Sequence, residues 1–168
     1  MDRELKRWLR GIPVSKMVYP KKPLDRAKYY AWRILGPIHP YVRNVLGYLG
    51  YMRKYDKYRP EGRQRFVIGR IGPNVSVKEL ITYLLGEGYR KYFVALKDED
   101  ELIGLRYSPD FVHQYHIRIF KDGEVRGHYE YTPECHPLLH DREVGFEERR
   151  GEFLDLLGKY LAPEPEKI

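Results

Sequence analysis

The chain has 168 residues, of which 42% are hydrophobic and 33% are charged. This length predicts one domain, or one domain with an appendage, and it permits a real core. The single cysteine excludes a disulfide framework and a cysteine-rich zinc finger. No apolar run approaches the ~18 residues of a membrane span. Because the first residues also lack the apolar block of a signal peptide, we expect a cytoplasmic protein that does not bind membranes.

Positive charge is concentrated at the start of the chain, although the net charge is only +7. Residues 1–60 hold 15 basic and 4 acidic side chains, whereas residues 61–168 hold 16 basic and 20 acidic ones. This asymmetry predicts a basic, tyrosine-rich helical region over 1–60 that contacts a polyanion, followed by an α+β domain over 61–168, with one compact unit as an alternative. A solvated basic surface without a partner would give the same pattern.

Composition also gives a hint about the source of the protein. Asparagine and glutamine together occur four times, and cysteine and methionine are scarce. Lysine, arginine and glutamate are plentiful. This combination is typical of thermophilic proteins, which carry fewer labile residues and more ion pairs.

The basic region is predicted to be helical, with helices over 2–10, 25–35 and 40–58. The third of these combines an apolar sector, a tyrosine sector and basic residues. Basic groups neutralise phosphates and aromatic faces stack on unpaired bases, although tyrosines also commonly form the rim of a core. The candidate nucleic-acid contacts here and in the segment that follows are Arg43, Arg53, Lys54, Lys57, Arg59 and Arg63.

The second half predicts an α+β fold in which the basic helices pack on a small, mainly antiparallel sheet of order β-α-β-β-β-β with a C-terminal helix. Strands are expected over 65–71, 91–97 and 101–107. Ser76 and Glu79 have the spacing of a capping box, which predicts a helix beginning after Ser76. The last helix is expected over 146–161.

The segment 114–131 predicts a hairpin whose register can be argued. A two-residue loop would mix apolar and charged side chains on both faces. A three-residue loop, Lys121 to Gly123, with Gly123 in a left-handed bulge, separates them cleanly. We therefore predict that His116 faces His128 and that Arg118 faces Arg126.

The polar face of this hairpin has three interpretations. It is a solvent-facing surface; or it binds nucleic acid through His116, His128, Arg118 and Arg126; or it carries chemistry. Two facing arginines need a carboxylate, for which Glu130 is a candidate, or a phosphate between them.

Five of the six histidines fall within 113–140, which is the reason for considering chemistry. Imidazoles with a carboxylate form divalent-metal sites, and paired histidines act as general acid and base on phosphodiesters. The catalytic candidates are His116, His128 and Glu130, and the metal candidates are His128, His136 and His140.

The sequence favours a non-enzymatic protein that binds nucleic acid, RNA or DNA, with no resident cofactor. A metal-dependent phosphodiesterase or nuclease, which would use a divalent metal in the histidine-rich segment, is the first alternative. An interaction module of viral or mobile-element origin with a protein partner is the second. Signatures of a P-loop, a dinucleotide-binding turn and a hydrolase nucleophile elbow are absent from the sequence.

Overall fold

The computed structural model describes residues 3–39, 41–42, 45, 66–92, 100–137 and 147–162. These residues include four helices whose bounds are defined, two short 3₁₀ turns and five strands, and Tyr41, Val42 and Val45 are also helical. The helices are α1 (Arg3–Gly11), α2 (Pro23–Leu35), α3 (Val77–Gly86) and α4 (Arg150–Leu157). The strands are β1 (Val67–Arg70), β2 (Arg90–Lys91), β3 (Glu101–Tyr107), β4 (His113–Phe120) and β5 (Glu124–Tyr131).

The five strands form one antiparallel sheet in the order β1-β5-β4-β3-β2. With its helices, this sheet makes the chain an α+β protein, as predicted. The central hairpin has the predicted three-residue loop, and Gly123 takes a φ of 82° that glycine tolerates without a steric penalty. His116 faces His128 and Arg118 faces Arg126, so the predicted register is confirmed.

The apolar face of the sheet carries the main core. Ile117, Ile119 and Val125 are fully buried, and they pack with apolar residues of α1, α3 and α4. α1 belongs to this core through Leu9, and Ile12 joins it just beyond the end of the helix. The N-terminal helix is therefore packed on the same sheet as the rest of the fold.

Local sequence signals correctly predicted α3. The Ser76 hydroxyl accepts a hydrogen bond from the Glu79 backbone N–H at 3.1 Å, which caps a helix end that would otherwise leave its N–H groups unsatisfied. The helix then buries Leu80, Ile81 and Leu84 against the sheet. It ends at Gly86.

The polar face of the sheet is covered by the chain between α1 and α2 and by α2 itself. The Ser15 hydroxyl contacts Arg106 of β3, and Met17 and Trp32 pack with Tyr92, which follows β2. The Tyr92 ring in turn lies 5.1 Å from the His116 ring on the polar face. The sheet is thus enclosed on both faces, and most side chains on its polar face are therefore buried.

Two predicted elements lie largely outside the described residues, and the last helix begins at a different residue from the one predicted. Most of the helix over 40–58 and of the strand over 91–97 is not described. The last helix begins at Arg150, later than predicted, because Glu147 forms a β-bridge with Tyr129 and is held in extended backbone. Among the described residues, no helix has the length and apolar character needed to cross a bilayer.

Candidate nucleic-acid interface

The residues predicted as contacts or ligands fall into two groups. Those outside the described residues are Arg43, Arg53, Lys54, Lys57, Arg59, Arg63 and His140. Those on or just after the central hairpin are His116, Arg118, Arg126, His128, Glu130 and His136. The structure therefore locates the sheet part of the predicted sites, and the contacts of the basic helix stay a prediction.

The polar face of the hairpin is largely buried, so the solvent-facing surface, one of its three interpretations, is wrong. Arg126 is 3% exposed, His128 is 8% exposed and Glu130 is 2% exposed. A base cannot stack on side chains that are enclosed to this degree. We therefore do not include this face in the proposed nucleic-acid interface.

The two facing arginines are each paired with a glutamate. Arg118 contacts the Glu101 carboxylate at 2.6 and 2.9 Å, and Arg126 contacts Glu124 at 2.6 Å. Each arginine thus has a carboxylate partner, as expected. The partners in these contacts are Glu101 and Glu124, whereas the predicted candidate was Glu130. Each pair has one buried and one partly exposed partner, and removing the exposed partner would leave the buried charge uncompensated.

A third buried arginine, Arg106, was not singled out from the sequence. Its guanidinium forms a two-point contact with the Glu134 carboxylate at 2.6 and 3.1 Å, and it donates to Gln114 at 3.1 Å. Gln114 donates in turn to Glu130 at 2.5 Å. Glu134, Arg106, Gln114 and Glu130 therefore form a connected chain of contacts, in which each side chain orients the next.

The three catalytic candidates converge at one point of this network. The His128 Nε2 atom lies 3.2 Å from Glu130 Oε2, and the His116 Nδ1 atom lies 3.6 Å from Glu130 Oε1. His136, a predicted metal ligand, lies elsewhere and packs its ring on Tyr131, and burial lowers its pKa. The structure thus brings together His116, His128 and Glu130 but not His136.

Two aromatic rings flank the histidine pair. The Phe66 ring lies 5.3 Å from the His128 ring, and the Tyr92 ring packs edge-on against His116. Burial raises the pKa of Tyr92 well above its ordinary value, and the nearby Glu130 carboxylate adds to this effect. The phenol of Tyr92 is therefore neutral at physiological pH.

Three tyrosines lie close together on α2 and just before it, and we call Tyr19, Tyr29 and Tyr30 the tyrosine cluster. The Tyr29 ring lies 5.2 Å from Tyr19 and 5.5 Å from Tyr30, and it also packs against buried Phe111. Tyr19 and Tyr30 are each 52% exposed. Tyr29 therefore anchors the cluster to the fold, and the other two rings face solvent.

Positive charge surrounds the tyrosine cluster. The Arg26 guanidinium lies 5.6 Å from the centre of the Tyr19 ring, and Lys21, Lys22 and Arg33 are exposed on the same segment. A hydrogen bond with Tyr19 raises the pKa of Tyr30. The sequence contains this signal, since tyrosines alternate with lysines and arginines over 19–33, but the same composition recurs over 40–58, so composition alone does not distinguish the two segments.

A second basic surface runs along α1. Its exposed basic residues recur at the spacing of one helical face, opposite the apolar residues that join the core: Arg3, Lys6, Arg7 and Arg10. Leu9 on the buried face holds the helix against the sheet. The orientation of α1 therefore presents a row of cations to solvent.

No family model, curated protein or solved structure matches this chain. The fold defines an α+β protein with a five-stranded antiparallel sheet. Its function is therefore inferred from the geometry of the described residues and from the distribution of charge along the chain.

Proposed function

We propose that the protein binds single-stranded nucleic acid through the basic surface of its N-terminal third. The observation that carries the proposal is the tyrosine cluster, where two half-exposed rings, Tyr19 and Tyr30, lie beside the Arg26 guanidinium. Aromatic faces stack on unpaired bases, and neighbouring cations neutralise the phosphates between them.

The exposure of the rings favours binding over a purely structural role. A tyrosine at the rim of a core keeps most of its ring against the protein and only its hydroxyl in water. Tyr29, which packs on Phe111, fits that description. Tyr19 and Tyr30 leave about as much surface in solvent as they bury, so they offer apolar area to a ligand.

The charge of the region supports an anionic ligand. Residues 1–60 have a net charge of +11. The exposed row on α1, which we call the α1 stripe, contributes four basic groups: Arg3, Lys6, Arg7 and Arg10. Such a surface attracts a polyanion over a distance of about one Debye length, roughly 8–10 Å at physiological salt. The basic residues predicted over 43–63 would extend this surface.

Binding is tested by fluorescence anisotropy with labelled single-stranded RNA, single-stranded DNA and a duplex, each at two salt concentrations. Stacking on one aromatic side chain contributes about 1–3 kcal/mol, so Tyr30→Ala is expected to weaken single-strand binding about 5- to 150-fold. Tyr30→Phe retains the ring and is expected to bind like the wild type.

Two further variants separate stacking from charge. Tyr107→Ala removes a tyrosine that is 40% exposed on β3, outside the basic N-terminal third of the sequence, and should leave affinity unchanged. Replacing the four basic residues of the α1 stripe by glutamine should lower the slope of log affinity against log salt. The proposal is overturned if no strand binds at low salt, if affinity does not depend on salt, or if Tyr30→Ala binds as tightly as Tyr30→Phe.

A further inference from the structure

Three potential metal ligands are placed together by the register of the central hairpin. His116 and His128 face each other directly across β4 and β5, and Glu130 lies two residues beyond His128 on the same face. Directly opposed residues in an antiparallel pair have Cβ atoms only about 4.5–5.5 Å apart. The backbone alone therefore directs two imidazoles and a carboxylate to one point.

The distances between the donor atoms suit a small divalent cation. One donor atom from each of the three side chains lies within 4.8 Å of the other two. His128 Nε2 and Glu130 Oε2 are 3.2 Å apart, and His116 Nδ1 and Glu130 Oε1 are 3.6 Å apart. Zinc bonds of about 2.0–2.2 Å in tetrahedral geometry place neighbouring ligand atoms about 3.3 Å from each other.

Outer contacts hold the carboxylate in the orientation that a ligand needs. Gln114 donates to Glu130 Oε1 at 2.5 Å, which leaves Oε2 directed toward His128. Gln114 is itself fixed by Arg106, which is fixed by Glu134. Metal sites in proteins characteristically have such a second layer of hydrogen bonds, which orients the ligands and adjusts their basicity.

Burial adds an electrostatic reason for a cation. The Glu130 carboxylate is 2% exposed, and a buried carboxylate is stable only when positive charge or several hydrogen bonds compensate it. A metal bound by two neutral imidazoles supplies that charge. A protonated histidine would also supply positive charge. The metal-binding experiment below distinguishes that explanation from a bound ion.

We propose that His116, His128 and Glu130 bind one divalent transition-metal ion of the zinc type. Two imidazoles and one carboxylate are a donor set that such ions accept, and three protein ligands leave a coordination position for water.

The test is metal binding by the full chain. The protein is stripped with a chelator, dialysed against zinc and assayed for bound metal, and cobalt(II) is used as a spectroscopic probe of the same site. One ion per chain is expected for the wild type. Because a lost ligand weakens binding more than the 10- to 100-fold typical of a second-layer contact, His128→Ala and Glu130→Gln should lose at least that much affinity.

His113→Ala is the matched control, since His113 lies on β4 with His116 but its side chain is 34% exposed and contacts Asp110. It should bind one ion with unchanged affinity. Thermal unfolding with and without zinc completes the test, because metal should raise the midpoint of the wild type and of His113→Ala but not of Glu130→Gln. Glu130→Gln keeps the shape of the side chain, so it tests metal binding by Glu130 even if His128→Ala does not fold.

Three results would overturn the proposal: wild type that retains no stoichiometric metal, a Glu130→Gln variant that binds zinc as tightly as the wild type, or a midpoint insensitive to zinc. In the first case protonated histidines compensate Glu130. None of these results bears on nucleic-acid binding, which depends on a different surface and is measured separately.

Discussion

The buried ion pair between Arg106 and Glu134 provides the sharpest test of how this fold is stabilised. The two side chains are 1% and 2% exposed, and their closest atoms are 2.6 Å apart. We expect Glu134→Gln to be strongly destabilising, because it keeps the shape of the side chain but removes the charge that compensates Arg106. Burial by itself would lower the pKa of Arg106, but Glu134 and, less strongly, Tyr92 and Glu130 offset this, so the pKa is raised.

The magnitude follows from burial. Removing one partner of a buried pair costs about 3–5 kcal/mol, whereas an exposed pair contributes about 0–1 kcal/mol. At about 2–4 °C per kcal/mol for a chain of this size, the melting temperature of Glu134→Gln should fall by about 6–20 °C. The remaining contacts of Arg106, with Ser15 and Gln114, favour the lower half of that range.

The control is Glu147→Gln, which removes the same charge from a pair of similar length. Arg149 and Glu147 are 2.8 Å apart but 31% and 60% exposed. Both variants are compared with the wild type by urea unfolding and by thermal scans followed by circular dichroism. Glu147→Gln is expected to lower the free energy of unfolding by less than about 1 kcal/mol.

A double variant tests whether the uncompensated charge of Arg106 causes the loss of stability. Arg106→Met together with Glu134→Gln removes both charges, and it should be more stable than Glu134→Gln alone because no buried charge is left uncompensated. The reasoning is refuted if Glu134→Gln and Glu147→Gln lower the free energy of unfolding equally. It is also refuted if the double variant is no more stable than Glu134→Gln.

Three further changes have expected outcomes that follow from the structure. Gly127→Ala should cost about 1–3 kcal/mol in urea unfolding, because the new Cβ would lie 2.6 Å from Ile68 Cδ1 and 2.9 Å from the Phe153 ring; stability equal to the wild type would show that the core relaxes freely. Burial raises the pKa of Tyr89, so its contribution to stability is complete below about pH 10, the unfolded value, and is lost as pH rises above it. Urea midpoints should therefore fall above about pH 10, and Tyr89→Phe should flatten that decline; an unchanged slope would contradict the assignment. Ser76→Ala removes the cap of α3 and should cost about 1 kcal/mol, measured by the same unfolding assay, whereas no loss would mean that water replaces the hydroxyl.

Local patterns predicted much of the secondary structure because the information lies within a few residues. The spacing of Ser76 and Glu79 marked the start of α3, and the glycine at 123 permitted a left-handed turn. The clean separation of apolar and polar residues then selected one hairpin register, since a shift of one residue would have reversed both faces. The pairing of His116 with His128 followed from that choice.

The same patterns placed the start of α4 incorrectly. The run of apolar residues toward the C-terminus predicted a helix from residue 146. Glu147 instead pairs with Tyr129, on a strand that precedes it by 18 positions, and the chain becomes helical only at Arg150. A long-range backbone hydrogen bond decided this boundary, and helical periodicity carries no signal for it.

The sequence by itself determined which side chains share a face, because alternation along a strand fixes that relation. Only the tertiary structure decided that the polar face is enclosed, since its cover comes from distant parts of the chain: Ser15 reaches Arg106 across 91 positions, and Trp32 packs with Tyr92. Burial changes the meaning of the same residues. A histidine–arginine face in water would attract phosphates, but enclosed with glutamates it forms an internal network, and solvent-facing aromatic rings are found instead beside Arg26.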